Sequence, residues 1–214
     1  IEPRTVISSL PYTITNRGSY YLTQNLVGTP GSNGVIISSS DVTLDLNGFA
    51  LIGTTNAGSS GIVLDTATNL YMNLTIRNGI VSGWANAGLV LIAGINCRLT
   101  GISAMENGLH GGTGIHVGRD WELDNCVAYR NYGMGITVGD YGRARDCRSR
   151  ENAFDGFHSG IGSVLKNCIS VGNGGCGFFG QSLSVIQDCV AMGNTNDGIY
   201  VGPNSLATGN LTGE

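Results

Sequence analysis

An all-β solenoid of stacked coils is the fold this sequence predicts. Three features predict it: a strict 21-residue spacing of glycine, cysteine and asparagine, short period-2 alternation within each unit, and glycine at 35 of 214 positions. The glycines Gly114, Gly135, Gly156, Gly177 and Gly198 recur every 21 residues; Cys126, Cys147, Cys168 and Cys189 follow the first four at a constant offset, and Asn131, Asn152, Asn173 and Asn194 follow the cysteines. Self-similarity at such a period marks stacked units, each too small to bury a core alone. Segments such as Gly114-Ile115-His116-Val117 and Gly135-Ile136-Thr137-Val138 alternate with period 2, which belongs to strands and not to helices. Three short strands and tight turns fit 21 residues. Equivalent residues of successive coils then lie about 4.8 Å apart on parallel sheets, so each column becomes a ladder.

The elements follow in order. Residues 1–33 are expected to cap the first coil, because an open solenoid end exposes unpaired strands. Gly34, Gly61 and Gly88 open longer units of 27, 27 and 26 residues, with Phe49, Ile80 and Ile102 where cysteines stand later. That column is therefore apolar and inward. Residues 34–214 form about eight coils, a rod of about 40 Å. The chain stops soon after a repeat begins, at Asn210-Leu211-Thr212-Gly213-Glu214, which fits either a piece of a longer protein or an end-to-end contact. The stacked cysteines are expected to be buried free thiols, since about 4.8 Å between parallel side chains exceeds the roughly 3.5–4.5 Å that a bridge needs between Cβ atoms. Cys97 and Cys176 fall at other turn positions, and no Cys-x-x-Cys pair points to a metal.

Composition narrows the function classes. Hydrophobic residues make up 41% and charged residues 12%, so a packed core is expected and not disorder. A net charge of −4 argues against a nucleic-acid partner, which requires a basic face. No apolar run reaches the 18 or more residues of a membrane span, and no basic-then-apolar leader opens the chain, so a soluble mature or trimmed protein is expected. Seven of the eleven basic residues lie between Arg119 and Lys166. Alternation turns them outward, where they can hold an anionic glycan or pair with Asp124, Asp146 and Glu151 of the same and adjacent coils; of the two, mutual pairing is expected.

These columns, with the opening Ser9-Leu10-Pro11-Tyr12-Thr13-Ile14 and Val42-Thr43-Leu44-Asp45-Leu46-Asn47-Gly48, resemble the right-handed parallel β-helix family, the pectate-lyase-like superfamily in its bacterial form. The resemblance covers nearly the whole chain and implies a single-stranded right-handed parallel β-helix with an N-terminal cap. It extends to a fold, not to one enzyme. Pectate lyases of this fold bind calcium through acidic residues and use an arginine base, and polygalacturonases use clustered aspartates; neither pattern is carried over here. Asp155-Gly156-Phe157-His158 resembles the Asp-Pro-His motif of alginate epimerases but lacks its proline and its adjacency.

If the residue after each repeat glycine points inward, the next points outward. One exposed column results: Ile36, Val63, Val90, His116, Thr137, His158, Phe179 and Tyr200. Asp155 stands three residues before His158 and can orient its ring, making His158 the leading proton-transfer candidate. His116, Arg119, Asp140 and Tyr141 complete the candidate catalytic set. Trp84, His110, Thr137, Phe179, Tyr200 and Arg143 are expected to contact substrate, with rings stacking on sugars and charged groups binding hydroxyls or uronates. The expected ligand is a polysaccharide, the expected location secreted or cell-surface, and the expected chemistry lyase, epimerase or glycoside hydrolase. Asp120 and Asp140, on successive turns, give a weak calcium signal. The alternative is a noncatalytic adhesin, tailspike-like segment or scaffold, oligomerising through outward residues such as Val171 and Met192.

Overall fold

The computed structural model describes residues 3–54, 58–65 and 70–213. Every regular element among them is a strand, and all the strand pairings are parallel. One sheet of nine strands contains Tyr12–Ile14, Val35–Ile37, Ser60–Leu64, Ala87–Leu91, Ile115–Val117, Ile136–Val138, Phe157–Ser159, Phe178–Gly180 and Ile199–Val201, stacked in chain order. We call this the front sheet. A second sheet of seventeen strands, the back sheet, takes two strands from each regular coil, such as Arg143–Arg145 and Arg148–Arg150, and forms the remaining sides.

Corners are set by backbone handedness. The regular coils turn at three left-handed positions, seen in successive coils as Asp120, Tyr141, Gly162, Leu183 and Asn204, as Asn125, Asp146, Asn167, Asp188 and Gly209, and as Arg130, Glu151, Gly172 and Gly193. Asn, Asp and Gly dominate because they tolerate this region, whereas Leu183 and Tyr141 carry a steric cost there.

The core is a set of ladders. Ile115, Ile136, Phe157 and Phe178 are buried in register, and the last two rings stack at 4.8 Å. The four stacked cysteines are buried free thiols, as expected, and Cys97 and Cys176 are buried and free as well. Hydrogen bonding to Cys147 and burial push the Cys126 thiol well above its ordinary value. Gly79, and not Ile80, precedes Cys126 and Ile102 in this column, because Ile80 pairs with Ser103 and Gly79 with Ile102. Beside it runs an asparagine ladder. Asn107, Asn131, Asn152 and Asn173 each donate Nδ2 to the Oδ1 of the next, at 3.1, 2.9, 2.9 and 2.9 Å, and each Oδ1 also takes a backbone N–H from the preceding coil. Residues 4–27 continue this construction: Arg4–Ile7 pairs with Gly18–Leu22, and Tyr12–Ile14 with Val35–Ile37. The segment expected as a cap thus supplies the first rung itself, giving nine rungs to the front sheet.

Candidate functional site

The outward column forms in the expected register. Thr13, Ile36, Val63, Val90, His116, Thr137, His158, Phe179 and Tyr200 are successive cross-strand partners on the front sheet. The inward neighbours fix each side chain, because one face of every strand is locked into the core. From Ile36 to Val90 the column is aliphatic, and with Thr13 it floors a concavity of about 520 Å³ rimmed by Asn33, Asn86, Ser38 and Asp65. The carboxy-terminal half carries the histidines and the aromatic rings.

There, His158, Phe179 and Tyr200 stack face to face at 4.6 and 4.9 Å. This arrangement corrects one expectation. The rings spend their faces on each other and turn their edges outward, so Phe179 has no face left for a sugar.

His158 Nδ1 lies 3.2 Å from Asp155 Oδ2, and Asp155 Oδ1 accepts the Cys176 N–H of the next coil at 2.8 Å. A Cβ on Gly175 would sit 2.3 Å from that Oδ1, so a glycine there lets the carboxylate reach the next coil. With the carboxylate accepting from Nδ1–H, the tautomer leaves the Nε2 lone pair free. His116, two rungs away or about 10 Å, is half-buried; burial first and His158 second lower its pKa.

The flanks are made by turns. On one edge Arg119 lies over the Tyr141 ring at 5.2 Å and pairs with Asp120 at 3.5 Å. Asp140 Oδ1 accepts the Ile161 N–H at 2.9 Å. Asp120 shares its left-handed corner with Tyr141 and not with Asp140, since Asp120 N–H bonds Asp140 O as Tyr141 N–H bonds Ile161 O. Asp120 and Asp140 therefore do not occupy equivalent positions of successive coils, and the described residues hold no group of three His, Cys, Asp or Glu suited to a metal. On the other edge His110 is exposed in the Gly108–Gly112 turn.

The family model for the right-handed β-helix region matches residues 14–211. The chain belongs to this family. A structure similar to this β-helix is the A-module of mannuronan C-5 epimerase AlgE4 from Azotobacter vinelandii, with TM-score 0.66 and 15% identity over 100% of this chain and 78% of that one. The enzymatically active domain of bacteriophage CBA120 tailspike protein 2 has TM-score 0.59 and 14% identity, covering 94% of this chain and 38% of that one. The AlgE6 A-module from Azotobacter vinelandii has TM-score 0.54 and 12% identity, over 99% and 89%. At these identities the likeness is one of fold. This chain spans well under two thirds of the tailspike domain. No curated protein matches its sequence.

Two further expectations are corrected in this β-helix. Trp84 is fully buried and donates Nε1–H to Leu51 O at 3.1 Å, so it cannot touch a substrate. Trp121, two residues after Arg119, is likewise buried, with Nε1–H on Gly94 O. Arg143 lies round the corner, on the back sheet, because its strand starts after the Gly142 turn. Sequence reasoning also missed Tyr132 and Phe154, exposed at 49% and 54% on the turns that lead into the Ile136–Val138 and Phe157–Ser159 strands. Neither ring stacks on another aromatic among the described residues. Their signal was a large aromatic one or two places after a ladder asparagine, where Gly174 stands in a neighbouring coil.

Proposed function

We propose that this β-helix engages an acidic polysaccharide along the outward column of its front sheet and acts on it as a lyase or epimerase, outside the cell or at its surface. The observation that carries the reading is the Asp155–His158 pair, held from behind by Cys176 and stacked on Phe179. A neutral imidazole with a free Nε2 is the group that can take a proton from C5 of a uronate, where the electron pair delocalises into the sugar carboxylate. In a lyase that pair then forms the C4–C5 double bond as the C4–O bond breaks and the leaving oxygen is protonated. In an epimerase C5 takes a proton back on its opposite face. Arg119 is suited to a bidentate bond with the uronate carboxylate, Tyr141 to proton donation, and Tyr132 and Phe154 to sugar stacking. Similarity in fold to an epimerase A-module and to a tailspike's enzymatically active domain supports this reading.

The test is turnover of uronate polymers, read as unsaturated product and as solvent deuterium at C5. His158→Ala should lower turnover about 10²–10⁴-fold, the usual worth of a positioned acid–base group. Asp155→Asn should lower it less and shift the pH profile. Full activity in both variants, or no glycan turned over at all, would remove the reading.

A second reading is favoured by one observation. Ile169, Val171, Met192 and Leu211 are exposed together on adjacent strands of the back sheet, a flat apolar surface suited to a second copy in a noncatalytic scaffold. Light scattering of the wild type and of Val171→Lys/Met192→Lys tests it: a dimer or trimer dispersed by the substitutions supports it, and a monomer removes it.

A further inference from the structure

The coil from Gly135 to Asp155 carries an arginine on every outward position of its two back-sheet strands: Arg143, Arg145, Arg148 and Arg150, all exposed. In a protein of net charge −4 this row is anomalous. The sequence leads one to expect neutralisation by neighbouring carboxylates, and the structure delivers only part of it. Arg145 meets Asp124 and Asp146 at 3.5 and 3.6 Å, and Arg130 meets Glu151 at 2.8 Å. Glu122, the cross-strand neighbour of Arg143, is engaged by Arg98 at 2.7 Å. Arg143, Arg148 and Arg150 have no carboxylate within 4.0 Å among the described residues. Arg143 and Arg145 also line a shallow groove of about 400 Å³ with Arg98 and Lys166, against only Glu122 and Asp124.

We propose that this row is a second anion-binding site, separate from the front column, and that it takes the carboxylate or sulfate groups of an acidic polysaccharide lying across the solenoid. Neighbouring outward arginines on one strand are about 6.7 Å apart, so the row presents a series of guanidinium forks to a repeating polymer. Nucleic acid fits less well, because base stacking needs open aromatic faces. The aromatic ring beside the row, Tyr129, already carries Arg130 and Arg150, each at 4.9 Å. The ligand class rests on the reading of the front column; the position of the row does not.

The experiment measures binding of polygalacturonate and heparin, with dextran and single-stranded DNA as controls. It compares the wild type, R143Q/R148Q/R150Q, the charge-keeping R143K/R148K/R150K, and His158→Ala. The wild type should bind an acidic glycan over dextran and DNA. The glutamine variant should lose about tenfold or more, as expected for several charge-assisted bonds, and the lysine variant should lose less. The melting temperature should not move, because all three side chains are exposed. Unchanged affinity in the glutamine variant overturns the inference while leaving the front column intact. Equal loss in the glutamine and lysine variants, equal binding of DNA, or no binding of either acidic glycan also overturns it. Weak binding by the glutamine variant, with normal turnover in His158→Ala, upholds the row and removes the front-column reading instead.

Discussion

The two halves of the solenoid solve the same corner differently. In the regular half the corner before the front sheet is filled by Asn131, Asn152 and Asn173, each bonded to the next, and Asn107 of the last wide coil joins the same ladder. In the wide half the equivalent place is Trp84, whose backbone N–H donates to Asn107 Oδ1 at 3.1 Å, as each ladder asparagine donates to the one after it. Its indole spreads under several coils, and a Cβ on Gly28, Gly34 or Gly61 would come within 2.6, 2.8 or 3.0 Å of that ring. One large side chain anchors coils whose turns have grown; a polar ladder anchors coils with no room to grow. The surface follows the same division, since the wide coils present aliphatic side chains on the front sheet and the tight coils present histidines and rings.

That contrast can be broken at either end. Trp84→Ala should cost the most, about 4 kcal/mol, since a cavity opens in the wide half and Asn107 survives to end the ladder; a melting curve reads it. Asn152→Ala should cost about 3 kcal/mol, because it leaves the buried Asn131 N–H and Nδ2 without their acceptor. A cost below that of an exposed substitution would mean that the ladder is ornamental. A smaller effect is expected from pH. His116 sits below its ordinary 6.5 through burial first and His158 second. The unfolded chain therefore binds a proton first as pH falls, so this contribution is full above about 6.5 and is lost toward the lower folded value. Melting temperature against pH should show that decline, and His116→Gln should flatten it. Smallest is Leu183→Asn, at an exposed left-handed corner with φ 62°, expected to stabilise by about 0.5 kcal/mol.

What was legible in the sequence was whatever repeats under a steric rule. Gly114, Cys126 and Asn131 recur because each contact is repeated coil by coil, so column and register could be read directly. The pairing of Asp155 with His158 was legible for the same reason, as a local relation inside one repeat. Trp84 was not, because it stands at a ladder position in a unit with no matching partner, and an aromatic near a turn reads as surface. Arg143 was misplaced by the sharp Gly142 corner, which moves a residue from one face to the next within one peptide. Ring orientation was hidden too, since His158, Phe179 and Tyr200 in register dictates stacking on each other, a consequence of the 4.6 and 4.9 Å spacing and not of residue type.

The most direct test of the functional reading is a crystal structure with a bound uronate oligosaccharide. Sugar density should run along the front sheet from His116 toward Tyr200, with a uronate C5 facing His158 Nε2. Density confined to other faces of the solenoid, with the front column bare, would contradict it.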